Sequence, residues 1–351
     1  MLEFNLNFFI FFSFISFFFT YLFTKYSNFF FSGSLLDKDF LKPQAFHNEP
    51  IARIGGLIIL FLFSLFCLFY FLALDIFLRD YFIISVLLFS LGFVDDLKVK
   101  INPNIRLILM MGLLVFCINI FSIQITESGM KFLDLWLEND IFNVCFVLLC
   151  FLFIINGANL VDGFNGLLAT HLIIINLIFL LINVNNQNDN ISIILFTQII
   201  IVFSFLIFNF PKAKIFLGDS GSYLLGSLIV LNTIKTYEQN PQISPFFFAG
   251  VLFYLFYEVF FSFIRKSILK KSPLRPDELH FHMLLYKWVS SSKTKENSNY
   301  LTSALINSSY LFLQVPLFYF QNHGLISRYW FFSLIILYTI IYFRLYSFSK
   351  K

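Results

Sequence analysis

The chain has 351 residues, of which 59% are hydrophobic and 13% are charged, and its mean hydropathy is +0.82. Soluble domains carry roughly 25% charged residues, so this composition excludes an ordinary soluble protein and indicates a membrane protein. The net charge of +4 is small, and we expect no nucleic-acid partner. The cysteines lie in apolar runs without metal-ligand spacing, so we expect all four to be buried and unbridged: Cys67, Cys117, Cys145 and Cys150.

Eleven apolar segments are suited to cross a bilayer as helices, since a span needs about 20 largely apolar residues. They are residues 5–24, 54–74, 81–94, 106–123, 141–157, 166–184, 191–209, 220–234, 245–264, 301–320 and 329–346, of which the third and eighth are short. The first follows no basic region and precedes no A-x-A cleavage site, so we expect a retained span. No repeat is visible. We therefore predict an all-α polytopic membrane protein with a single domain, 1–351.

The basic residues fix a predicted orientation. Twenty of the 24 Lys and Arg residues fall in loops that follow odd-numbered spans or in the C-terminal tail, and the longest such loop is the basic segment 265–300. Because cytoplasmic loops are enriched in Lys and Arg, we expect the N-terminus outside and the C-terminus in the cytoplasm, across a bacterial inner membrane.

Five polar clusters fall on this predicted cytoplasmic side. They are HNEPIARIGG (47–56), VDDLKVKINPNIR (94–106), NGANLVDGFNG (156–166), NFPKAKIFLGDSGS (209–222) and SPLRPDELHFH (272–282). The predicted outer loops contain nothing comparable, so one shared site is the simplest interpretation.

The residue types of these clusters indicate a phosphate site with a metal ion. Gathered carboxylates repel one another unless a cation joins them, and Asp95, Asp96, Asp162 and Asp219 would form such a group. Oxygen ligands of this kind suit Mg²⁺, which completes its shell with water and substrate phosphates. Basic residues surround the acids in sequence, which fits a diphosphate ligand.

Each cluster also has a plainer interpretation. The pair Asp95-Asp96 could be a solvated helix end, and D-G-x-N-G could be only a turn. In G-D-S-G-S, Asp219 or Ser220 could simply cap the eighth span. The basic loop could merely follow the positive-inside rule, so the inference rests on convergence of the five clusters.

Together the clusters resemble the polyprenyl-phosphate N-acetylhexosamine-1-phosphate transferases, a family that includes the phospho-N-acetylmuramoyl-pentapeptide transferases. The resemblance runs from about residue 43 to 285. Its motifs occur in the family's order as H-x-x-P-x-x-R-x-G-G from His47, the pair Asp95-Asp96, N-x-x-N-L-x-D-G from Asn156, the segment Phe208–Ser222, and S-P-x-x-P-D-x-x-H-x-H from Ser272.

The resemblance implies a Mg²⁺-dependent transfer, with Mn²⁺ as a substitute, of a sugar 1-phosphate from a UDP-N-acetylhexosamine to undecaprenyl phosphate. UMP is released, and a lipid-linked envelope glycan such as O-antigen is started. UDP-GlcNAc is the first choice of donor, and the pentapeptide transferase of peptidoglycan synthesis is the alternative. The resemblance leaves open a homodimer. It also leaves open the choice between direct attack, which we favour, and a covalent Asp intermediate.

Site roles follow from the same resemblance. Asp219 is expected to bind Mg²⁺, with Asn159 as a second ligand. Asp95 is expected to position or deprotonate the lipid phosphate, Asp96 to support it, and Asp162 to organise the metal and diphosphate.

The remaining expected roles are substrate contacts. Asn165 and Asn209 are expected to contact uracil, and His280 and His282 the diphosphate or amino sugar. The further expected substrate-binding residues are Lys98, Arg106, Lys214, Arg275 and His47.

Three positions depart from the family's usual pattern. Asn165 stands where a second Asp is common, Met283 where another His is common, and Glu258 where span nine often has Asp. The first two put a nucleobase contact and a phosphate or sugar contact in doubt. An intramembrane carboxylate such as Glu258 is functional by default, although pairing with a neighbouring helix would also explain it.

Two other classes fit parts of the sequence. The segment Gly218–Gly221 fits the G-x-S-G pattern of an intramembrane serine protease, but this chemistry needs a histidine base near Ser220. An anionic-solute transporter would place its ionisable residues near the midplane, in broken helices and repeats. Both are weaker than the transferase interpretation.

Overall fold

The computed structural model describes residues 2–27, 29, 33–38, 50–99, 101–270, 272 and 277–350. The described chain is almost entirely helical, with one pair of two-residue strands, so the predicted all-α class is confirmed. In chain order the elements are α1 (Leu2–Lys25), β1 (Leu36–Asp37), β2 (Ile51–Ala52), α2 (Gly55–Leu74), α3 (Arg79–Asp96), α4 (Pro103–Ile120), α5 (Lys131–Leu137), α6 (Asp140–Val161), α7 (Leu167–Asn185), α8 (Asp189–Asn209), α9 (Gly218–Gln239), α10 (Pro245–Val251), α11 (Phe253–Ile268), α12 (Phe281–Ser290), α13 (Lys295–Tyr319) and α14 (Gly324–Ser349).

Each of the eleven predicted spans coincides with one long helix, except 245–264. That segment is divided between α10 and α11, which meet at a bend of 74°. Among the described residues, eight helices are long and apolar enough to cross a membrane alone, and the bent pair makes nine. The basic segment 265–300 is not a simple loop, because it contains the whole of α12.

Several helices begin where the sequence places a capping residue. The Asn102 side chain accepts a hydrogen bond from the backbone two residues later, and Pro103 occupies the first turn of α4. Ser244 and Pro245 begin α10 in the same way, and Asn139 caps α6. Polar caps accept hydrogen bonds from N–H groups that lack helical partners, and proline has no N–H to leave unpaired there. These residues set where the chain turns back into the bundle.

Helix α9 lies in the centre of the bundle, against α2, α3, α6, α7 and α8. Sixteen of its 22 residues are buried. The backbones of α3 and α9 approach so closely that a Cβ on Gly92 would lie 2.5 Å from the carbonyl oxygen of Asp219. Small residues allow such close packing between membrane helices. The position of Asp219 is therefore set by packing of α9 against α3.

The buried amide in the middle of α9 is satisfied by neighbouring helices. The amide of Asn232 donates to Asn176 on α7 at 2.9 Å and to Gln198 on α8 at 2.6 Å. In lipid an unpaired amide is costly, so buried polar groups must find protein partners. This explains why α9, which is less apolar than its neighbours, is enclosed by them.

All four cysteines are free. Cys67 and Cys117 are buried as predicted and Cys150 is half-buried, whereas Cys145 is exposed on the outer surface of the bundle. The prediction that all four are buried is therefore wrong for Cys145. An apolar span has both protein-facing and lipid-facing positions, and its composition does not distinguish them.

Candidate active site

One arginine joins two of the predicted carboxylates. Asp95 lies at the end of α3, and Arg106 in the first turn of α4 donates a hydrogen bond to its carboxylate. The same guanidinium nitrogen lies 3.4 Å from Oδ2 of Asp219 in the first turn of α9. Three helix ends therefore meet at this ion-pair network. The Asp219 side chain is 30% exposed, so it remains open to a ligand.

Asp96 differs sharply from its neighbour, because its side chain is fully buried. Its carboxylate accepts hydrogen bonds from the Ser220 hydroxyl at 2.6 Å and from the backbone N–H groups of Ser220 and Asp219 at 2.9 and 3.0 Å. It therefore caps the N-terminus of α9, where unpaired N–H groups and the helix dipole favour an anion. The plainer interpretation of this motif, in which Asp219 or Ser220 caps the helix, is wrong, since the cap comes from Asp96 on α3.

Gly218 is required for this cap. Its φ of +79° is one that side chains with a Cβ rarely adopt, and a Cβ there would lie 2.6 Å from Oδ2 of Asp96. The cap also bears on the protease alternative, because the Ser220 hydroxyl donates to Asp96 and not to a histidine base.

Arg53 is the centre of a second group of ion pairs, which contains Asp37 and Asp96. It donates to Asp37 of β1 at 2.6 Å and lies 3.8 Å from Asp96. The backbone of Ala52 on β2 bridges to Ile215, which ties the start of α2 to the segment before α9. Arg53 is the arginine of the motif H-x-x-P-x-x-R-x-G-G, but it was not among the predicted site residues. The sequence signal that could have identified Arg53 is its positive charge inside the first polar cluster, 47–56.

Asp162 directly follows α6 and faces the same carboxylate group. Burial raises the pKa of Asp162 well above its ordinary value, and the nearby charges of Asp219 and Asp96 raise it further, against the opposing effect of Arg53. Asn159, one turn earlier, lies next to Asp219, yet within the described residues its amide nitrogen makes no hydrogen bond of normal length. Both residues therefore adjoin the same carboxylate group, and their roles towards a metal and a diphosphate stay predictions.

Asn165 and Asn209, the expected uracil contacts, hold two loops together. Oδ1 of Asn209 accepts from the Gly166 backbone at 2.7 Å, and its Nδ2 donates to a carbonyl of the segment before α9 at 2.9 Å. Asn165 donates from its side chain to the Pro211 carbonyl, and from its backbone to the side chain of Asn299 on α13. Both ends of the buried Asn209 amide are therefore occupied by protein. Asn299 had no sequence signal, because it lies beyond the recognised motifs.

The two histidines of the last motif have different surroundings. His280 precedes α12, and its Nδ1 lies 3.0 Å from Glu258 on α11. His282 lies on α12 and is fully buried, and neither ring nitrogen has a hydrogen-bond partner among the described residues. Its Nε2 would be 3.7 Å from a Cβ on Gly163, so it faces the turn that follows Asp162. Burial lowers the pKa of His282 to about 4, which makes it a neutral imidazole at neutral pH.

The other expected substrate contacts are peripheral or lie outside the described residues. Lys98 donates to the Leu36 carbonyl of β1 at 3.1 Å, and the Lys214 side chain is exposed. His47 and Arg275 fall outside the described ranges, so their roles stay predictions.

The donor set fits Mg²⁺ held partly by substrate. No three His, Cys, Asp or Glu side chains in the described part of the chain lie close enough together to hold one ion. Mg²⁺ commonly uses one or two carboxylates and takes its remaining ligands from phosphate oxygens and water. The partly exposed Asp219 carboxylate, with Asn159 beside it, meets that requirement.

An apolar cavity of about 420 Å³ lies among α6, α9, α10 and α11. Its lining includes Phe153 and Ile154 of α6, Val230 of α9 and Phe256 of α11. Val230 is eleven residues beyond Asp219 on α9, or about 17 Å at 1.5 Å per residue. Val230 is the α9 residue of the lining nearest to Asp219, and the cavity continues from there away from the carboxylate group, to Tyr237 of α9 and Pro245 of α10.

The amino-acid sequence is similar to those of known proteins. Residues 78–237, from the start of α3 to near the end of α9, match the sequence profile of glycosyl transferase family 4. The chain is 29% identical over 250 residues to the undecaprenyl-phosphate alpha-N-acetylglucosaminyl 1-phosphate transferase of Thermotoga maritima, covering 71% of this chain and 72% of that protein.

Two further relatives represent two named activities. A probable undecaprenyl-phosphate N-acetylglucosaminyl 1-phosphate transferase of Bacillus subtilis is 27% identical, with 66% of this chain and 64% of that protein covered. A phospho-N-acetylmuramoyl-pentapeptide-transferase of Clostridioides difficile is 26% identical, with 56% of this chain and 64% of that protein covered.

Proposed function

Because the chain belongs to glycosyl transferase family 4, we propose that it transfers a sugar 1-phosphate from a UDP-sugar to undecaprenyl phosphate and releases UMP. The sugar is an N-acetylhexosamine, with N-acetylglucosamine first. The observation that carries the proposal is the meeting of Asp95, Arg106, Asp219, Asp162 and His282 at one end of the bundle, beside helix ends that favour anions.

Asp95 and Arg106 form the acceptor side of the proposed reaction. Arg106 spans Asp95 and Asp219, so it can neutralise two carboxylates that would otherwise repel an incoming phosphate. A guanidinium binds phosphate in the same fork geometry as it binds carboxylate. When the lipid phosphate replaces Asp95 as the partner of Arg106, the Asp95 carboxylate lies beside the attacking phosphate oxygen, where it can hold or accept a proton.

Asp219 and Asn159 form the donor side. Mg²⁺ bound there would neutralise negative charge on the diphosphate of the UDP-sugar. Phosphoryl transfer depends mainly on such charge stabilisation and on positioning. Asp162, whose pKa is raised in the absence of a cation, gains a counter-charge at this position. His282 can donate from one ring nitrogen to a phosphate or sugar oxygen. Asp96 does not touch substrate in this scheme, since it holds the start of α9.

The apolar cavity supports a lipid acceptor. A polyprenyl chain must remain in an apolar environment while its phosphate reaches the carboxylate group. The cavity extends along α6 and α9 away from Asp219, and the break between α10 and α11 forms one wall. It begins about 17 Å along α9 from Asp219, at Val230, so only the distal part of a long polyprenyl chain whose phosphate is at the site would occupy it.

The finer assignments complete the proposal. The site faces the cytoplasm of a bacterial inner membrane, with the N-terminus outside, as the distribution of Lys and Arg predicts. The product starts a lipid-linked envelope glycan such as the O-antigen of lipopolysaccharide. Transfer of phospho-N-acetylmuramoyl-pentapeptide is the second candidate, because a relative of that activity is also similar.

The test is an assay of membranes that contain the protein. Undecaprenyl phosphate is supplied with a panel of UDP-sugars, including UDP-N-acetylmuramoyl-pentapeptide, and UMP release is followed with Mg²⁺, with Mn²⁺ and with a chelator. We expect release with UDP-N-acetylglucosamine or a close analogue, dependent on lipid and metal and absent in Asp219→Asn. Release from the pentapeptide donor alone would select the second candidate. No release from any donor, or uptake of the donor into vesicles without UMP, would overturn the transferase proposal.

A further inference from the structure

The helix α14 is connected to the histidine motif by hydrogen bonds to one buried carboxylate, that of Glu258. Glu258 on α11 is 1% exposed, and its Oε1 accepts from His280 Nδ1 at 3.0 Å and from the Phe281 backbone at 3.1 Å. Its Oε2 accepts a short hydrogen bond from the Tyr338 hydroxyl on α14. Glu258 is thus fully bonded within the protein, and it offers no oxygen to a substrate.

Further contacts of α14 fix the same segment. The Tyr342 hydroxyl donates to the Leu279 carbonyl at 2.9 Å, and the ring of Phe281 stacks on that of Tyr338 at a centroid distance of 4.9 Å. The chain on both sides of His280 is therefore tied to α14. The arrangement lies outside the segment 78–237 that matches the family profile.

His280 is held from both sides. Its Nε2 lies 3.3 Å from Asp277, which is itself paired with Arg265 at 2.7 Å. Burial alone would raise the pKa of Asp277, but the hydrogen bond from Arg265 lowers it, so this carboxyl is ionised at neutral pH. With Glu258 at one ring nitrogen and Asp277 at the other, His280 has no nitrogen left for a ligand.

His282 is left with the opposite character. Its ring lies parallel to that of His280 at a centroid distance of 5.6 Å, packs edge-on against Phe164 at 5.4 Å, and faces Gly163. Its unpaired nitrogens are therefore the ones that can meet a ligand at the turn after Asp162. A buried imidazole without partners is costly unless a ligand or water supplies them.

We propose that Glu258 and Tyr338 are positioning residues, which fix His280 so that His282 alone of the pair faces the UDP-sugar. The proposal rests on the proposed transferase function and divides the motif into a held histidine and a substrate-facing one. It also gives the intramembrane carboxylate a function other than ion transport or simple helix pairing.

A matched pair of hydroxyl deletions separates this role from general packing. Tyr338→Phe removes the bond to Glu258, whereas Tyr257→Phe removes a 3.0 Å bond to Thr339 between the same two helices, α11 and α14. We expect Tyr338→Phe to lower kcat/KM for the UDP-sugar by about tenfold, equivalent to about 1.4 kcal/mol. KM for undecaprenyl phosphate should not change. Tyr257→Phe should match the wild type in both constants.

A double-mutant cycle gives the decisive readout. If Tyr338 acts through the histidine pair, Tyr338→Phe should have no further effect on kcat/KM in a His282→Ala background, whereas an independent packing effect would add. Additive losses, or equal effects of Tyr338→Phe and Tyr257→Phe, would overturn the proposal. If Tyr338→Phe unfolds at a lower temperature than Tyr257→Phe, Glu258→Gln takes its place in the cycle. The effect of Glu258→Gln on kcat/KM should likewise disappear in the His282→Ala background. A wild-type protein that releases no UMP would instead refute the transferase function.

Discussion

Replacing Asp96 with Asn tests whether the two adjacent aspartates have different roles. Asp96 accepts three hydrogen bonds from the first turn of α9 and is fully buried, whereas Asp95 is bonded to Arg106 at the open side of the site. The substitution keeps the shape of the side chain. It removes the charge at the helix start and converts one acceptor oxygen into an NH₂ donor.

The magnitude follows from the three bonds. An Asn oxygen placed at Oδ2 still accepts from the Ser220 hydroxyl and backbone, but the NH₂ then faces the N–H of Asp219. Leaving a buried donor unsatisfied costs about 1–3 kcal/mol. Loss of a negative charge at a helix N-terminus costs up to about 1 kcal/mol more. We therefore expect Asp96→Asn to reduce the free energy of unfolding by about 2–4 kcal/mol.

The assay compares thermal unfolding in detergent with UMP release, for Asp96→Asn and for Asp95→Asn. Asp95→Asn should reduce kcat by orders of magnitude with little change in melting temperature or expression. Asp96→Asn should lower the melting temperature, and it should reduce kcat by displacing Asp219; about 100-fold is typical of a 1 Å misplacement. If Asp96→Asn unfolds at the wild-type temperature while activity is lost, Asp96 touches substrate and its capping role is wrong. If Asp95→Asn is fully active, the acceptor-side assignment fails.

Three further outcomes follow from the geometry. Asp219→Asn should lower kcat by ~100-fold or more, because it removes the exposed carboxylate of the donor side, and expression measured by immunoblot should not change. Asp162→Asn should raise the melting temperature of the metal-free protein at pH 8, and this gain should shrink towards pH 5. Folding raises the pKa of Asp162, so the folded wild type binds its proton first and gains stability as the pH falls. A gain in melting temperature that does not depend on pH would contradict this. Gly92→Ala should destabilise the protein, since its Cβ would lie 2.5 Å from a carbonyl of α9, whereas Gly112→Ala on α4, with open space around it, should be neutral or stabilising by about 1 kcal/mol in thermal unfolding.

Much of the architecture could be predicted because a lipid environment restricts the choices. Helices satisfy their own backbone within a bilayer, so apolar length located eleven helical segments. In the described part of the chain, nine of these are long and apolar enough to cross a membrane, with α10 and α11 counted as one, and α3 and α9 are not. The convergence of the polar clusters was predicted from the charge pattern, and the structure brings together Asp95, Asp96, Asp162 and Asp219. The orientation in the membrane and the metal ion stay predictions.

The division of labour within the site could not be predicted, because it depends on contacts between distant segments. Asp95 and Asp96 are adjacent and identical in type, yet the helical twist turns one towards Arg106 and the other into α9. Glu258 was recognised as unusual, but its partner Tyr338 is 80 residues away in a helix full of aromatic residues. A lone tyrosine among many gives no signal until the helices are packed.

The low hydropathy of α9 links the fold to the function. A helix that begins with Asp219 at a reaction site and carries Asn232 in its middle would be unstable beside lipid, so it must be enclosed by other helices. Enclosure in turn fixes its first turn, through the cap from Asp96 and the close contact at Gly92. Transfer between two phosphates depends mainly on fixed charges at the right distance, and a buried helix anchored along its length holds such a charge better than a loop does. The same reasoning explains why the polar positions of α9 should tolerate substitution less than the many phenylalanines of the lipid-facing helices.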